Sequence, residues 1–270
     1  MHMHHTASTV RRCSLALLIC LASTACLRST TTIDLQPDGS GTIVQETAVS
    51  AQALGMLQGL AAGNQAGGEK PPQLFGEEQA RKAADTMNVK FISGEPIKTG
   101  ELEGYRARYA FDDISKITIK MDQGANGLTP GAETKKPPFA FTFTRGAAAS
   151  QLNIEMPEAS NGGMSGLPFP GAGASEADKA QAAQALTMMK MMMRGLFVDV
   201  ALNVNGRILK SNAPYIEGSR VTLLQIDFDK MLADESALMK LQSAKDVKSL
   251  AALPGLKVVT EPKVTIDFSR

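Results

Sequence analysis

Several stretches of the chain alternate apolar and polar residues, which is the pattern of β-strands that bury one face. Residues 30–35 and 42–49 alternate in this way on either side of a turn-forming sequence at residues 37–41 (PDGSG), and they predict a hairpin. The Asn205-Gly206 pair directly follows a further strand pattern and predicts a two-residue hairpin turn. Comparable strand patterns recur at residues 89–111, 117–121, 139–144, 152–156, 197–204, 220–228 and 257–268.

Helical spacing of apolar residues predicts four helices, near residues 51–62, 77–87, 175–194 and 230–253. The third begins with Ser175, a suitable N-cap, and is followed by Gly195, a residue type that commonly ends helices. Short turns join neighbouring strands, and the helices come in a few blocks instead of after every strand. The chain is therefore predicted to have an α+β fold, with helices packed on a mainly antiparallel β-sheet.

The first 25 residues differ in character from the remainder, and we predict that they lie outside this fold. Arg11 and Arg12 precede an apolar run at residues 14–25, which is too short for a membrane span of about 20 residues. A basic start, a short apolar stretch and small residues at its end are the features of a secretory signal peptide. We therefore expect residues 1–25 to be removed and residues 26–270 to form a single exported domain.

Residues 21–26 (LASTAC) resemble the recognition site of lipoprotein signal peptidase, in which a small residue such as Ala25 precedes the cleaved bond. Cleavage there makes Cys26 the only cysteine of the mature chain, because Cys13 and Cys20 are removed. An unpaired cysteine in an exported protein requires an explanation, and lipidation provides one. Alternatively, ordinary signal peptidase cuts after Ala25 and releases a soluble protein with a free thiol.

Lipidation of Cys26 predicts a protein held to a membrane by a thioether-linked diacylglycerol and an amide-linked acyl chain such as palmitate. Two or more acyl chains give stable anchoring, because each buried methylene contributes about 0.8 kcal/mol. The predicted location is the cell envelope, on the extracytoplasmic side of the membrane. In a Gram-negative host, Leu27 after the cysteine indicates sorting to the outer membrane.

The composition of the exported chain limits the functions it can serve. The three histidines lie at positions 2, 4 and 5, so the mature chain has no imidazole for Ser-His-Asp or Cys-His catalysis or for zinc binding. The formal net charge of the full chain is +1, which gives no basic field for nucleic acid. We therefore predict no enzymatic activity, no cofactor and no metal.

The alternative is an envelope enzyme that uses carboxylates. It requires two acids that converge in a cleft, with the pKa of at least one of them raised. We expect the acids instead to begin helices or to be solvated. The acidic pairs available for such chemistry are Asp112-Asp113, Asp227 with Asp229, and Asp234-Glu235.

Methionines cluster near the end of the third predicted helix. Met189, Met193 and Leu196 share one helical face, and Met188 and Met192 lie beside them. Flexible thioether side chains suit core packing, and they also suit an adaptable apolar groove for an acyl chain or a partner helix. A third interpretation is a Cu(I) carrier, because thioethers are soft ligands. We take the groove formed by these five residues as the candidate ligand site.

Three features combine in this chain: the lipobox-like Cys26, an early strand–turn–strand around residues 38–41, and a late segment at residues 205–223 that contains NGRI and EGSRVTL. Together they resemble the LppM-type lipoprotein domain of mycobacteria and related envelope lipoproteins. This chain has Leu223 and Leu224 where that family tends to carry a tryptophan. The resemblance implies a lipid-anchored α+β ectodomain, without enzymatic activity, that binds amphiphilic envelope lipids. We therefore predict a membrane-anchored envelope lipoprotein whose partner is an amphiphilic lipid or a protein.

Overall fold

A computed structural model describes residues 27–51, 53–55, 75–100, 102–119, 138–157, 190, 194–233, 251 and 253–269. The helical elements with bounds in these ranges are α1 Glu77–Met87, a 3₁₀ turn Ile114–Lys116 and α2 Phe228–Leu232. Twelve strands lie in the same ranges: β1 Leu27–Leu35, β2 Gly41–Ser50, β3 Lys90–Thr99, β4 Leu102–Phe111, β5 Ala140–Thr144, β6 Ala149–Glu155, β7 Phe197–Val204, β8 Ile208–Ser211, β9 Ile216–Glu217, β10 Arg220–Asp227, β11 Leu256–Val258 and β12 Lys263–Ser269.

The strands form two sheets. The large sheet has eight strands in the order β11-β10-β7-β1-β2-β4-β3, with β9 beside β10, and the small sheet has the order β5-β6-β12-β8. Among the strand pairs described, all run antiparallel except β1 and β7, which run parallel. β1 lies in the middle of the large sheet and is paired along its length on both sides.

The large sheet has two distinct ends along its strands. One end, which we call the Leu27 edge, holds Leu27, Ser50, Leu102, Phe197 and Asp227, where β1, β4 and β7 start and β2 and β10 finish. The opposite end, the turn edge, carries the turn between β1 and β2. At a rise of about 3.3 Å per residue, the nine residues of β1 separate the two edges by roughly 26 Å.

One hydrophobic core is shared by the two sheets and α1. Ile33, Ile43, Tyr109 and Leu202 are cross-strand neighbours on the inner face of the large sheet, and all are almost completely buried. Burial of each of the three aliphatic side chains contributes about 1.5–3 kcal/mol to the free energy of unfolding. The small sheet contributes Phe141, Leu152, Ile154, Val264, Ile266 and Phe268 to the same core.

The predicted fold class holds only in part, because the described chain is predominantly β. The sheets are mainly antiparallel, as predicted, but the layer that meets the core opposite the large sheet is largely a second sheet. The alternation at residues 139–144 and 152–156 gives that sheet an apolar face, so strands cover the core where helices were expected. α1 is the described helix that packs on the large sheet, against β3 and β4.

The predicted helices have different outcomes. α1 has the bounds 77–87 that the sequence predicts. The segment at 230–253 is represented by α2, which begins at Phe228 and ends at Leu232. Most of residues 51–62, 175–194 and 233–253 lie outside the described residues.

The local hairpins agree with the sequence. The hairpin around residues 37–41 joins β1 to β2, and Gly100 turns the chain between β3 and β4 with a φ of 60°. The pairing of residues 140–144 with the strand that follows is also confirmed. In contrast, the strand predicted from residue 117 is described only as an isolated bridge between Ile119 and Phe139.

The hairpin predicted at Asn205-Gly206 is wrong. Neither residue has the positive φ that a type I′ turn requires. The Asn205 N–H donates to the Leu35 carbonyl (2.7 Å), and the chain leaves β7 in the large sheet to enter β8 in the small one. A Cβ atom added to Gly206 would lie 2.1 Å from the Ser269 carbonyl oxygen. Glycine therefore permits a close approach of two backbones where the chain crosses between the sheets.

Replacing Gly206 with alanine tests this crossing. The added methyl group forces the backbones apart, so we expect the free energy of unfolding to fall by about 2–3 kcal/mol. Gly218→Ala is the control, because Gly218 has a φ of 62° but no atom within 4 Å of the Cβ position. Strain at Gly218 alone costs about 1 kcal/mol. Urea denaturation measures both variants, and an equal loss in the two would mean that Gly206 lies in an ordinary turn.

Candidate functional site

The Leu27 edge is the described part of the chain nearest to the predicted anchor. β1 begins at Leu27, the residue immediately after Cys26, and runs through the middle of the large sheet. Cys26 itself lies outside the described residues. Consecutive Cα atoms are about 3.8 Å apart. Any group carried by Cys26 is therefore attached at the residue that directly precedes Leu27 in the central strand.

An arginine–aromatic pair lies at this edge. Arg28 on β1 and Phe197 on β7 are cross-strand partners on the outer face of the large sheet, away from the core. The guanidinium carbon of Arg28 lies 5.0 Å from the centroid of the Phe197 ring. Arg28 is exposed, so this cation–π contact contributes about 0.5–1 kcal/mol. The charge next to the anchor position is thus held in place and stays accessible to solvent.

The predicted groove residues are only partly described. Leu196 packs against a second hydrophobic cluster, which is separate from the main core and contains Phe228 and Met231 of α2 together with Leu253. The other predicted site residues lie outside the described residues: Cys26, Met188, Met189, Met192 and Met193.

Hydrogen bonds fasten the segment before β7 to α2. The Phe228 N–H donates to the Leu196 carbonyl (3.1 Å), and the Gly195 N–H donates to Asp229 Oδ1 (2.8 Å). Gly195 has a φ of 73°, the left-handed conformation of glycines that follow helices. The chain that carries the methionines therefore enters the sheet at a fixed point on the Leu27 edge.

Three buried polar side chains interrupt the apolar inner face of the large sheet between its middle and the Leu27 edge. Ser29 and Thr31 of β1 and Gln45 of β2 are on the same side as Ile33, yet each is at least nine-tenths buried. Thr31 and Gln45 are direct cross-strand partners. Their hydroxyl and amide groups therefore lie inside the covered face of the sheet, between the apolar side chains of Leu27 and Ile33. These residues are not identifiable from the sequence alone.

A buried carboxylate lies on the outer face of the sheet. The Asp199 side chain is only 6% exposed and forms an ion pair with Arg220 Nη2 at 2.5 Å. Gln225 Nε2 donates to the other carboxylate oxygen at 3.4 Å. Burial raises the pKa of the Asp199 carboxyl, and the positive charge of Arg220 offsets only part of that effect. The signal in the sequence is a single charged residue within the strand FVDVALNV.

Asp199 belongs to a row of cross-strand partners that crosses the outer face. Within this row Arg106 binds Glu46 (2.6 Å) and Glu95 (2.7 Å). These pairs are solvated, because the Arg106 side chain is 46% exposed, and each contributes less than about 1 kcal/mol. This row is thus polar and largely solvated, and Asp199 is its buried carboxylate; elsewhere on the outer face Ala201 and Thr222 are buried as well. The row from β3 to β11 is Glu95, Arg106, Glu46, Thr30, Asp199, Gln225 and Lys257.

The first acidic pair considered for catalysis has structural partners at the turn edge. Asp112 forms an exposed ion pair with Lys90 at 3.1 Å. Asp113 accepts a hydrogen bond from the Ser115 N–H at 2.9 Å and caps the 3₁₀ turn. That backbone hydrogen bond lowers the pKa of Asp113, which is the opposite of the shift a general acid needs.

The second acidic pair lies at the Leu27 edge, a full strand length away from the first. Asp227 is the N-cap of α2, where it accepts a hydrogen bond from the Lys230 N–H at 3.1 Å, and Asp229 lies in the first turn. The two pairs therefore do not converge in one cleft. Asp234 and Glu235 lie outside the described residues.

A groove of about 400 Å³ opens at the turn edge, between α1, the start of β3 and the end of β4. Its lining carries charges of both signs, with Lys90 and Lys116 close to acidic partners. Such a lining does not match an acyl chain. The groove also lies at the far edge from Leu196, so it is distinct from the predicted ligand groove.

None of the helices in the described ranges combines the length and the apolar character that a membrane span requires. No group of three or more histidine, cysteine, aspartate or glutamate side chains in those ranges is arranged to hold a metal ion.

Comparison with known proteins gives one distant structural likeness. No family model matches the chain, and no curated protein sequence matches it. The folded domain of LppM from Mycobacterium tuberculosis is similar in chain path, with a TM-score of 0.35 and 9% sequence identity. The likeness covers 92% of this chain and 91% of the LppM domain. At that TM-score we transfer no residue role and no ligand from LppM to this chain.

Removal of Arg220 is expected to destabilise the protein in a pH-dependent way. In Arg220→Met, the Asp199 carboxylate loses its counter-charge while still buried, which costs about 3 kcal/mol near neutral pH. The folded-state pKa of Asp199 then lies further above its ordinary value of 3.8, so the folded state takes up a proton as the pH falls. The loss is therefore full above the folded-state pKa and shrinks as the pH approaches 4.

Urea denaturation of wild type and Arg220→Met at pH 7.5 and at pH 4.5 measures this difference. Arg106→Met is the matched control, because its ion pairs are exposed, and its cost stays below about 1 kcal/mol at both pH values. A loss of equal size at the two pH values for Arg220→Met would show that Asp199 is not the group responsible.

Proposed function

We propose that this chain is a non-enzymatic lipoprotein of the bacterial cell envelope, anchored through acyl chains on Cys26. The proposed ligand is an amphiphilic lipid, bound on the inner side of the Leu27 edge, and an envelope protein is the second kind of partner. In this proposal the protein faces the extracytoplasmic side, and it lies on the outer membrane if the host is Gram-negative.

The observation that carries the proposal is that Leu27, the residue after Cys26, already pairs with Val49 within the large sheet. A cut before Cys26 removes residues 1–25 without removing any residue of the described strands. The predicted cleavage site therefore lies one residue before the described part of β1. The short apolar run and the LASTAC sequence support the same cut, as does the lack of another cysteine after position 26.

The proposal of an amphiphile rests on the mixed chemistry near the Leu27 edge. Leu196 packs against an apolar cluster near this edge, and the methionine-rich segment comes just before Leu196 in the sequence. Ser29, Thr31 and Gln45 add buried polar groups on the same side of the sheet. A ligand with an acyl chain and a polar head requires both kinds of contact.

The anchor is tested by intact-mass analysis of the protein purified from its native host membranes. We expect a chain that begins at Cys26 and carries the added mass of a diacylglycerol and an acyl chain. Cys26→Ser has no thiol to modify, so it should lose that mass and leave the membrane fraction or persist as the uncleaved precursor. Cys20→Ser is the matched control, because residue 20 lies in the removed segment, and the mature mass should stay unchanged. A native protein that retains Met1, or that has a bare thiol at Cys26, would refute anchoring.

Ligand binding is tested by native mass spectrometry of the protein extracted in mild detergent. We expect co-purifying lipid in the wild type and less of it in the double variant Met189→Gln/Met193→Gln, because polar amides disfavour an acyl chain. Met191→Gln is the matched control, since helical spacing places Met191 away from the face shared by Met189 and Met193. A wild-type protein free of lipid, or an equal loss in the control, would count against the groove.

A further inference from the structure

We infer that the Leu27 edge of the large sheet rests on the surface of the bilayer, with the strand axes directed away from the membrane. In this arrangement the Arg28–Phe197 pair lies at the level of the lipid headgroups, and the turn edge faces away from them. The inference rests on the proposed anchoring through Cys26. The Leu27 edge would contact a phospholipid bilayer.

The tether between the predicted anchor and the folded domain is very short. A flexible linker between a lipid anchor and a folded domain leaves the orientation of the domain free. Here the residue after Cys26 is already part of β1, and Leu27 pairs with Val49 of β2. Arg28 pairs on the other side with Phe197. With no linker, the direction of β1 sets the direction in which the domain leaves the membrane.

The strand next to the predicted anchor lies at the centre of the large sheet. β1 has three strands of the main path on each side. At a spacing of about 4.8 Å between neighbours, this edge is roughly 29 Å wide, and the anchor is attached near its middle. An anchor at the middle of a wide edge favours a domain that stands on that edge, because tilting to either side lifts half of it from the surface.

A positively charged side chain lies next to the predicted anchor. Arg28 is exposed, and its guanidinium lies over the Phe197 ring, which limits its freedom. A guanidinium donates paired hydrogen bonds to phosphate oxygens, and phosphate is the charged group shared by phospholipids. The β3–β4 turn at Gly100 lies at the same edge, with Lys98 one row from it, directly across from Glu103. Arg28 is the cation closest in sequence to the anchor, and we assign it the contact with lipid phosphate.

Single-tryptophan variants test this orientation cleanly, because the chain contains no tryptophan of its own. Phe197→Trp places the reporter at the Leu27 edge, and Asp38→Trp places it in the exposed turn at the opposite edge. The purified lipidated protein is reconstituted in phosphatidylcholine vesicles that contain a phosphatidylcholine with a nitroxide on its headgroup. The nitroxide quenches tryptophan fluorescence only at short range, and the two positions are roughly 25 Å apart along β1.

We expect the fluorescence of Phe197→Trp to be quenched several-fold more strongly than that of Asp38→Trp. Equal quenching would mean that the domain lies flat or has no fixed orientation, and stronger quenching of Asp38→Trp would mean that it is inverted. Either result overturns the inference. Leu102→Trp, which leaves Arg28 in place, reports on the same edge if Phe197→Trp does not fold to the wild-type circular dichroism spectrum.

Failure of anchoring is separated from failure of orientation by the mass of the mature N-terminus. If that mass shows no lipid, the proposed anchor is wrong. The same tryptophan variants, starting at Cys26, are then coupled through the thiol to a maleimide-bearing phospholipid in the same vesicles. A quenching gradient from Phe197→Trp to Asp38→Trp in that coupled protein supports the geometric part of the inference, and its absence refutes it.

Discussion

β1 pairs antiparallel with β2 on one side and parallel with β7 on the other, and these two ladders hold the large sheet together. β2 follows β1 after a short turn, whereas β7 lies far along the chain. The side-chain hydrogen bond from Asn203 Nδ2 to Asp34 Oδ1 (2.8 Å) joins residues 169 positions apart. Without the β1–β7 ladder, the strands β7, β10 and β11 would lose their connection within this sheet to β2, β4 and β3. That ladder therefore fixes the predicted anchor, which precedes β1, relative to the second hydrophobic cluster and the buried ion pair on the β7 side of the sheet.

The sequence predicts what is decided locally. Alternation and turn residues identify the β1–β2, β3–β4 and β5–β6 hairpins, since each depends on neighbouring residues alone. The parallel pairing of β1 with β7 has no local signal, because it depends on contacts between distant segments. Asn205-Gly206 shows how a strong local signal is overridden: Leu35 and Ser269 hold the backbone there, and the glycine serves a close approach instead of a turn. The second sheet was not predicted for a related reason, since alternation alone does not tell which layer covers the core.

The functional residues were also predictable only in part. Cys26 and the methionines were selected from sequence pattern, and of the predicted ligand groove only Leu196 can be placed, at the second hydrophobic cluster. Asp199 and Arg220 were not selected, because their pairing requires the β7–β10 register, which sequence alone does not supply. Ser29 and Thr31 were not selected either, because a hydroxyl residue in a strand reads as solvent-facing until the neighbouring strands are known. Burial of a polar group is a property of the assembled sheet.

The two edges of the large sheet differ in a way that bears on how a membrane lipid would reach this protein. The groove at the turn edge is bordered by solvated charges such as Lys90 and Asp112. The Leu27 edge combines apolar clusters with buried hydroxyl and amide groups, and it adjoins Cys26 in sequence. Moving an acyl chain through water exposes apolar surface, at a cost of about 0.8 kcal/mol for each methylene group. A binding region at the anchored edge avoids most of that cost, because a lipid can pass from the bilayer to the protein along a short path. The same surface would then serve both attachment and binding, and the strand that follows Cys26 links the two roles.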